Sequence, residues 1–127
     1  MSTTKPQLRL GAFLPGAGQH VAAWRHPDAN ANGPLNFEHY KRLAQTAERG
    51  LFDAFFLADG LAANFGGVTG AGGSAKVTDF EPVTLFAALS QVTTHIGFIA
   101  TASTTYEEPY SLAMTLAESL GNSPWEI

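Results

Sequence analysis

The residues with the most chemical promise stand where apolar runs stop. Asp59 follows the uninterrupted run Ala54-Phe-Phe-Leu-Ala58 and precedes Gly60. Its carboxylate therefore belongs at the carboxyl end of a strand, where parallel β/α folds gather their sites. There it serves either a ligand or the backbone N–H groups around it, and position leaves both readings open. A second apolar run closes in Thr101-Ala-Ser103-Thr104-Thr105-Tyr106. Four hydroxyls in five residues can hydrogen-bond a polar ring system without adding charge. For Thr105 and Tyr106, ordinary capping at a strand end is the better reading.

The remaining polar groups are less organised. His20, His26, His39 and His95 fall on different elements and lack metal-ligand spacing, so no metal site is expected. His39 on the outer side of a helix and His95 in a turn read as solvated, whereas His20 and His26 lie in a long loop on the site side. Trp24-Arg25-His26-Pro27 joins a large apolar anchor to polar tips, suited to a ligand or to pinning the loop. No Ser/His/Asp set or carboxylate pair assembles, and no catalytic residue is assigned. Gly16-Ala-Gly18-Gln-His-Val21 approximates a dinucleotide fingerprint. That motif needs a helix starting on the spot, and Pro27 and the turn residues up to Pro34 leave too little room. Gly70-x-Gly72-x-x-Ala75 has no strand directly before it and reads as a flexible lid.

The elements that must carry these residues alternate. Residues 8–14 form a short apolar strand closed by Pro15-Gly16, and residues 15–36 are rich in turn chemistry. Asn36 is placed to cap a helix whose inner face is Phe37, Tyr40, Leu43, Ala44 and Ala47; Gly50 should end it as a left-handed residue. Glu38 and Arg42 form an i,i+4 pair on its outer side. The continuously apolar run 54–58 is a strand covered on both faces, as in a parallel sheet. Six glycines follow between Gly60 and Gly73, then Pro82 opens a helix to about Thr93. Residues 96–101 make a third strand, and Pro109 opens a third helix with Leu112, Ala113, Leu116 and Leu120 inward. Long loops after strands and short ones before them describe successive β/α units of a parallel sheet. Strand ends at Leu14, Ala58 and Ala100 suit an elaborated barrel, but a closed one takes about 250 residues.

Bulk properties narrow the function. The 127 residues are 45% hydrophobic and 14% charged, enough to bury a core, with a formal charge of −4. The seven basic residues are dispersed, which argues against nucleic acid. With no cysteine there is no disulfide framework or thiolate metal site. The stretch 82–106 carries no Asp, Glu, Lys or Arg, but its mid-run polar groups suit a buried helix, turn and strand better than a membrane span. Without a signal peptide at its start, the chain is expected in the cytoplasm.

Taken together, Gly11-Ala-Phe13, Trp24-Arg-His-Pro27, Gly50-Leu-Phe-Asp-Ala-Phe-Phe-Leu-Ala-Asp59 and Thr101-Ala-Ser-Thr-Thr-Tyr-Glu-Glu-Pro-Tyr110 resemble one family over nearly the whole chain. It is the nitrilotriacetate monooxygenase component A and dibenzothiophene-sulfone monooxygenase family of bacterial-luciferase-like flavin enzymes. The resemblance implies an α/β fold, the first three β/α units of a TIM-type barrel, with residues 1–127 as the N-terminal part of one barrel domain. It implies reduced FMN supplied by a separate NAD(P)H:flavin reductase, O2, a small organic substrate, and a homo-oligomeric full-length enzyme. Asp59 and Thr101 match flavin contacts of the family, Ser103 matches a weaker one, and Phe13 matches an aromatic residue of the substrate pocket.

The pattern departs at its end. The family continues into a Leu-Asp-His-Leu-Ser-x-Gly-Arg motif, where this chain reads Leu116-Ala-Glu-Ser-Leu-Gly-Asn-Ser-Pro-Trp-Glu-Ile127. The family's phosphate site and catalytic histidine lie beyond that point, so the chain reads as a fragment whose barrel is incomplete. Alternatives are a catalytically silent remnant or flavin-binding module, and a deazaflavin-dependent oxidoreductase of the same superfamily.

Overall fold

The computed structural model describes residues 7–20, 22–30, 32–58, 79–105 and 107–120. Three short strands, β1 (Gly11–Phe13), β2 (Ala54–Leu57) and β3 (Gly97–Ala100), form one parallel sheet in the order β1-β2-β3. Gly11, Ala54 and Gly97 stand side by side, as do Ala12, Phe55 and Phe98, and then Phe13, Phe56 and Ile99. The strands are shorter than the apolar runs, although pairing begins one residue before β1, since Leu10 O accepts both Asp53 N–H and Ala54 N–H.

Three helices follow the strands: α1 (Phe37–Arg49), α2 (Pro82–Ser90) and α3 (Pro109–Leu120). α1 starts at Asn36, whose side chain accepts the His39 N–H at 3.1 Å. It ends one residue later than expected. Gly50 has an ordinary φ of −78°, and the left-handed residue is Leu51 at φ 60°. Leu51 N–H bonds Glu48 O and Phe52 N–H bonds Ala47 O, which is a Schellman closure with Phe52 folded toward the core. On the outer face, Glu38 meets Lys41 at 3.5 Å, and that i,i+3 pair replaces the expected one with Arg42.

α2 is capped by Glu81, whose carboxylate accepts Val83 N–H at 2.8 Å and Thr84 N–H at 2.6 Å ahead of Pro82. It stops at Ser90, short of Thr93. Ser90 Oγ bonds Ala87 O and Thr93 Oγ1 bonds Leu89 O, so side chains compete with the ladder just there. The uncharged stretch is therefore a helix, a turn and a strand, and no described helix is long and apolar enough to cross a membrane.

The core lies between one sheet face and the first two helices. Ala12, Phe55 and Leu57 meet Tyr40, Ala44 and Ala47 of α1, Leu85, Phe86 and Leu89 of α2, and Ile96. Phe55 packs edge-on against Phe86, with ring centroids 5.9 Å apart. Among the described residues only this face is fully covered; the opposite face of β2, with Ala54 and Phe56 half-buried, is the one a closed barrel turns inward. α3 also departs from expectation. Leu112 is half-buried, but Ala113 and Leu116 are exposed, because α3 packs on α2 and the described sheet ends at β3.

Candidate functional site at the carboxyl edge of the sheet

The amino edge of the sheet is closed by carboxylates. Asp53 accepts Arg9 Nη1 at 2.6 Å and Leu10 N–H at 2.8 Å, and these bonds, Arg9 first, hold its carboxyl below the usual range. Glu48 gathers the N–H groups of Thr94, His95 and Ile96 at 2.7, 2.5 and 3.1 Å. Burial pushes the Glu48 carboxyl up, but the bonds from His95, Thr94 and Ile96 outweigh it and leave it lowered. Such an edge is a fastening, with every carboxylate satisfied.

The carboxyl edge is different. On the face that the helices leave open, Phe13, Phe56 and Ile99 stand in one row fixed by the strand register. Phe13 is 44% exposed and Ile99 52%, and the Phe13 and Phe56 rings meet at 4.9 Å. Side chains alternate along a strand, so the position two beyond Ile99 on that face is Thr101. Its N–H reaches Leu57 O at 3.4 Å, which carries the β2–β3 ladder one step past the strand, and the residue is exposed. Ser103 is half-exposed, and its Oγ accepts the Thr105 N–H at 3.4 Å, the local turn expected for Thr105. Phe13, Thr101 and Ser103 therefore share the carboxyl edge or the open face. Asp59, the fourth residue singled out, lies outside the described residues, as do Tyr106 and the Gly70–Ala75 pattern.

The long segment after β1 folds as two single 3₁₀ turns, Ala23–Arg25 and Gly33–Leu35. One such turn cannot present the helix N-terminus that a dinucleotide needs, so the fingerprint reading of Gly16 to Val21 fails. His20 and His26 are exposed, and each Nδ1 accepts an N–H two residues on, from Ala22 at 3.1 Å and Asp28 at 3.2 Å. Trp24 is half-buried with the guanidinium of the adjacent Arg25 5.8 Å from its ring centroid. His39, expected in solvent, is half-buried instead. Burial, then Arg42, lowers its pKa against an opposing hydrogen bond with the Gly16 backbone. His95 is exposed as expected. Among the described residues no group of His, Asp and Glu could hold a metal ion.

Phe56 and Ile99 join Phe13 on the open face but did not stand out in the sequence. Their alternation is hidden in continuously apolar runs, and only the register shows which residues share a side. These residues offer an apolar floor ending in uncharged hydroxyls, a lining that suits a planar heteroaromatic ring with polar edges.

Comparison with known proteins agrees with this geometry. A family model described as luciferase-like monooxygenase matches residues 17–118. N-acetyl-S-(2-succino)cysteine monooxygenase of Bacillus subtilis (strain 168) is 46% identical over 131 residues, covering 100% of this chain and 29% of that protein. Nitrilotriacetate monooxygenase component A of Aminobacter aminovorans is 36% identical, over 95% of this chain and 29% of its own length. A solved riboflavin lyase with modified FMN and riboflavin superposes with a TM-score of 0.72 at 29% identity, covering 90% of this chain and 27% of that one. The chain thus spans 29% of the length of the two curated relatives.

Proposed function

The chain belongs to the luciferase-like monooxygenase family, and on that premise we propose that it is the opening part of a two-component, FMNH2-dependent monooxygenase. Residues 1–127 make the first three β/α units of one barrel domain in the cytoplasm. A separate NAD(P)H:flavin reductase supplies the reduced flavin, and O2 oxygenates a small organic substrate in a homo-oligomeric enzyme. The observation that carries this reading is the aligned row Phe13–Phe56–Ile99, on the sheet face that a closed barrel turns inward, leading on the same face to Thr101 at the carboxyl edge.

Each residue has a part that its chemistry allows. The flavin supplies oxygen activation when bound. Phe13, Phe56 and Ile99 give an apolar surface that excludes water from one side of the site. The Thr101 hydroxyl donates or accepts a hydrogen bond at the ring's polar edge without competing charge, and Ser103 adds a weaker contact. Asp59 contributes a carboxylate that accepts a ring N–H. Alone, the chain exposes its apolar row, so it is expected to aggregate and to show no turnover.

The test is a hybrid enzyme in which this chain replaces the matching stretch of N-acetyl-S-(2-succino)cysteine monooxygenase. With NADH and a flavin reductase, it should oxygenate that enzyme's substrate, and Asp59→Ala should lower the rate by about tenfold or more. A folded hybrid that is inactive, or one indifferent to Asp59→Ala, would refute the assignment. Tight FMN binding by the 127-residue chain alone would favour a flavin-binding module instead.

A further inference from the structure

α1 holds the chain segments at the carboxyl edge as well as the core. Tyr40 is fully buried, yet its hydroxyl has two partners far apart in sequence. The oxygen accepts the Gly16 N–H at 3.1 Å, just after β1. The proton is donated to Asp79 Oδ1 at 3.4 Å, in the first described residue of the segment entering α2. Gly16 is also closely seated. A Cβ there would lie 2.7 Å from the Tyr40 hydroxyl and 2.8 Å from the Pro34 backbone, and one at Gly33 would overlap the Gly16 carbonyl. The 15–36 segment is therefore folded back on itself at the point where Tyr40 grips it.

Packing does not require this hydroxyl. A phenylalanine would fill the same volume and keep the edge contacts to His39 and Phe80, at 6.0 and 6.1 Å. A buried hydroxyl without partners is unfavourable, so both of its hydrogen bonds matter where it lies. Burial, with the neighbouring Asp79 carboxylate, pushes the phenol up to about 12, which keeps the proton on the oxygen for donation.

We propose that Tyr40 is a positioning residue whose hydroxyl ties the segment after β1 to the segment entering α2, so that both sides of the site hold or release together. Its functional meaning rests on the flavin-site reading above, because those segments flank the edge carrying Thr101. The tie itself is a property of the chain and can be measured without flavin.

The test is amide hydrogen exchange on the flavin-free hybrid enzyme, unsubstituted against Tyr40→Phe and Asp79→Ala. Tyr40→Phe should speed exchange about tenfold at residues 16–18 and 79–81 together, with less than about twofold change in α1, β2 and α2. Asp79→Ala, at an exposed position that leaves the core intact, should loosen residues 16–18 as well as its own neighbourhood. Asp79→Asn keeps an acceptor for the phenol and should restore most of the protection. Acceleration limited to Gly16, or spread evenly through the helices, would overturn the proposal. A hybrid enzyme whose flavin affinity ignores Thr101→Ala would refute the flavin reading while leaving the tie untouched.

Discussion

The two faces of the sheet are made from alternate residues of the same three strands, and both are apolar. On one face Phe55 is fully buried among Phe86, Phe98 and the helices; on the other Phe13 and Ile99 remain about half exposed. The edges divide the same way. The amino edge is fastened by Glu48 and Asp53, while the carboxyl edge presents the hydroxyls of Thr101 and Ser103. Stability therefore resides in the covered face and amino edge, and the chemistry proposed above uses the open face and carboxyl edge. A parallel β/α fold gathers its site at the carboxyl edge by construction, since the loops after the strands build it.

The largest test of that division is Phe55→Ala. It removes a buried ring and, made in the hybrid enzyme, should cost about 3–5 kcal/mol, read as a lowered midpoint of urea unfolding. Equal destabilisation by Ile99→Thr on the opposite face would break the comparison. Next comes Glu48→Ala, which leaves three N–H groups without their carboxylate and should cost about 1–2 kcal/mol. The pH dependence has a definite sign. Because the folded carboxyl lies below its ordinary 4.5, its stabilisation is complete above that value and is lost as pH falls through the folded pKa. Glu48→Gln should lower stability at neutral pH and flatten the acid limb of a melting-temperature profile. The smallest effect on stability belongs to Ile99→Thr, about 1 kcal/mol or less, since the side chain is already half exposed. It should instead raise the concentration at which the chain aggregates, measured by light scattering. An unchanged aggregation threshold would show that the open face is not the sticky one.

Much of this architecture was legible in the sequence because local chemistry and pattern agreed. Asn36 caps α1, Tyr40, Ala44 and Ala47 face inward, and the apolar runs pair as parallel strands. What escaped depends on long-range geometry. The Leu51 closure follows from where Phe52 must pack, and the Glu48 clamp joins residues more than forty positions apart. The burial of His39 needed the segment at Gly16 to fold over it. At the site, Thr101 could be placed at a strand end from spacing and Phe13 came from the family resemblance, whereas Phe56 and Ile99 required the register. Asp59 lies outside the described residues, so its role rests on the motif that carries it.

Anaerobic equilibrium titration of reduced FMN into the hybrid enzyme tests the division of faces most directly, comparing Thr101→Ala with Glu48→Gln. If the open face and carboxyl edge bind the flavin, Thr101→Ala should weaken binding by about tenfold at an unchanged melting temperature, from the loss of a hydrogen bond worth about 1.4 kcal/mol. Glu48→Gln should lower the melting temperature and leave the affinity within about twofold. Unchanged flavin affinity in Thr101→Ala, or an equal loss in both variants, would contradict it.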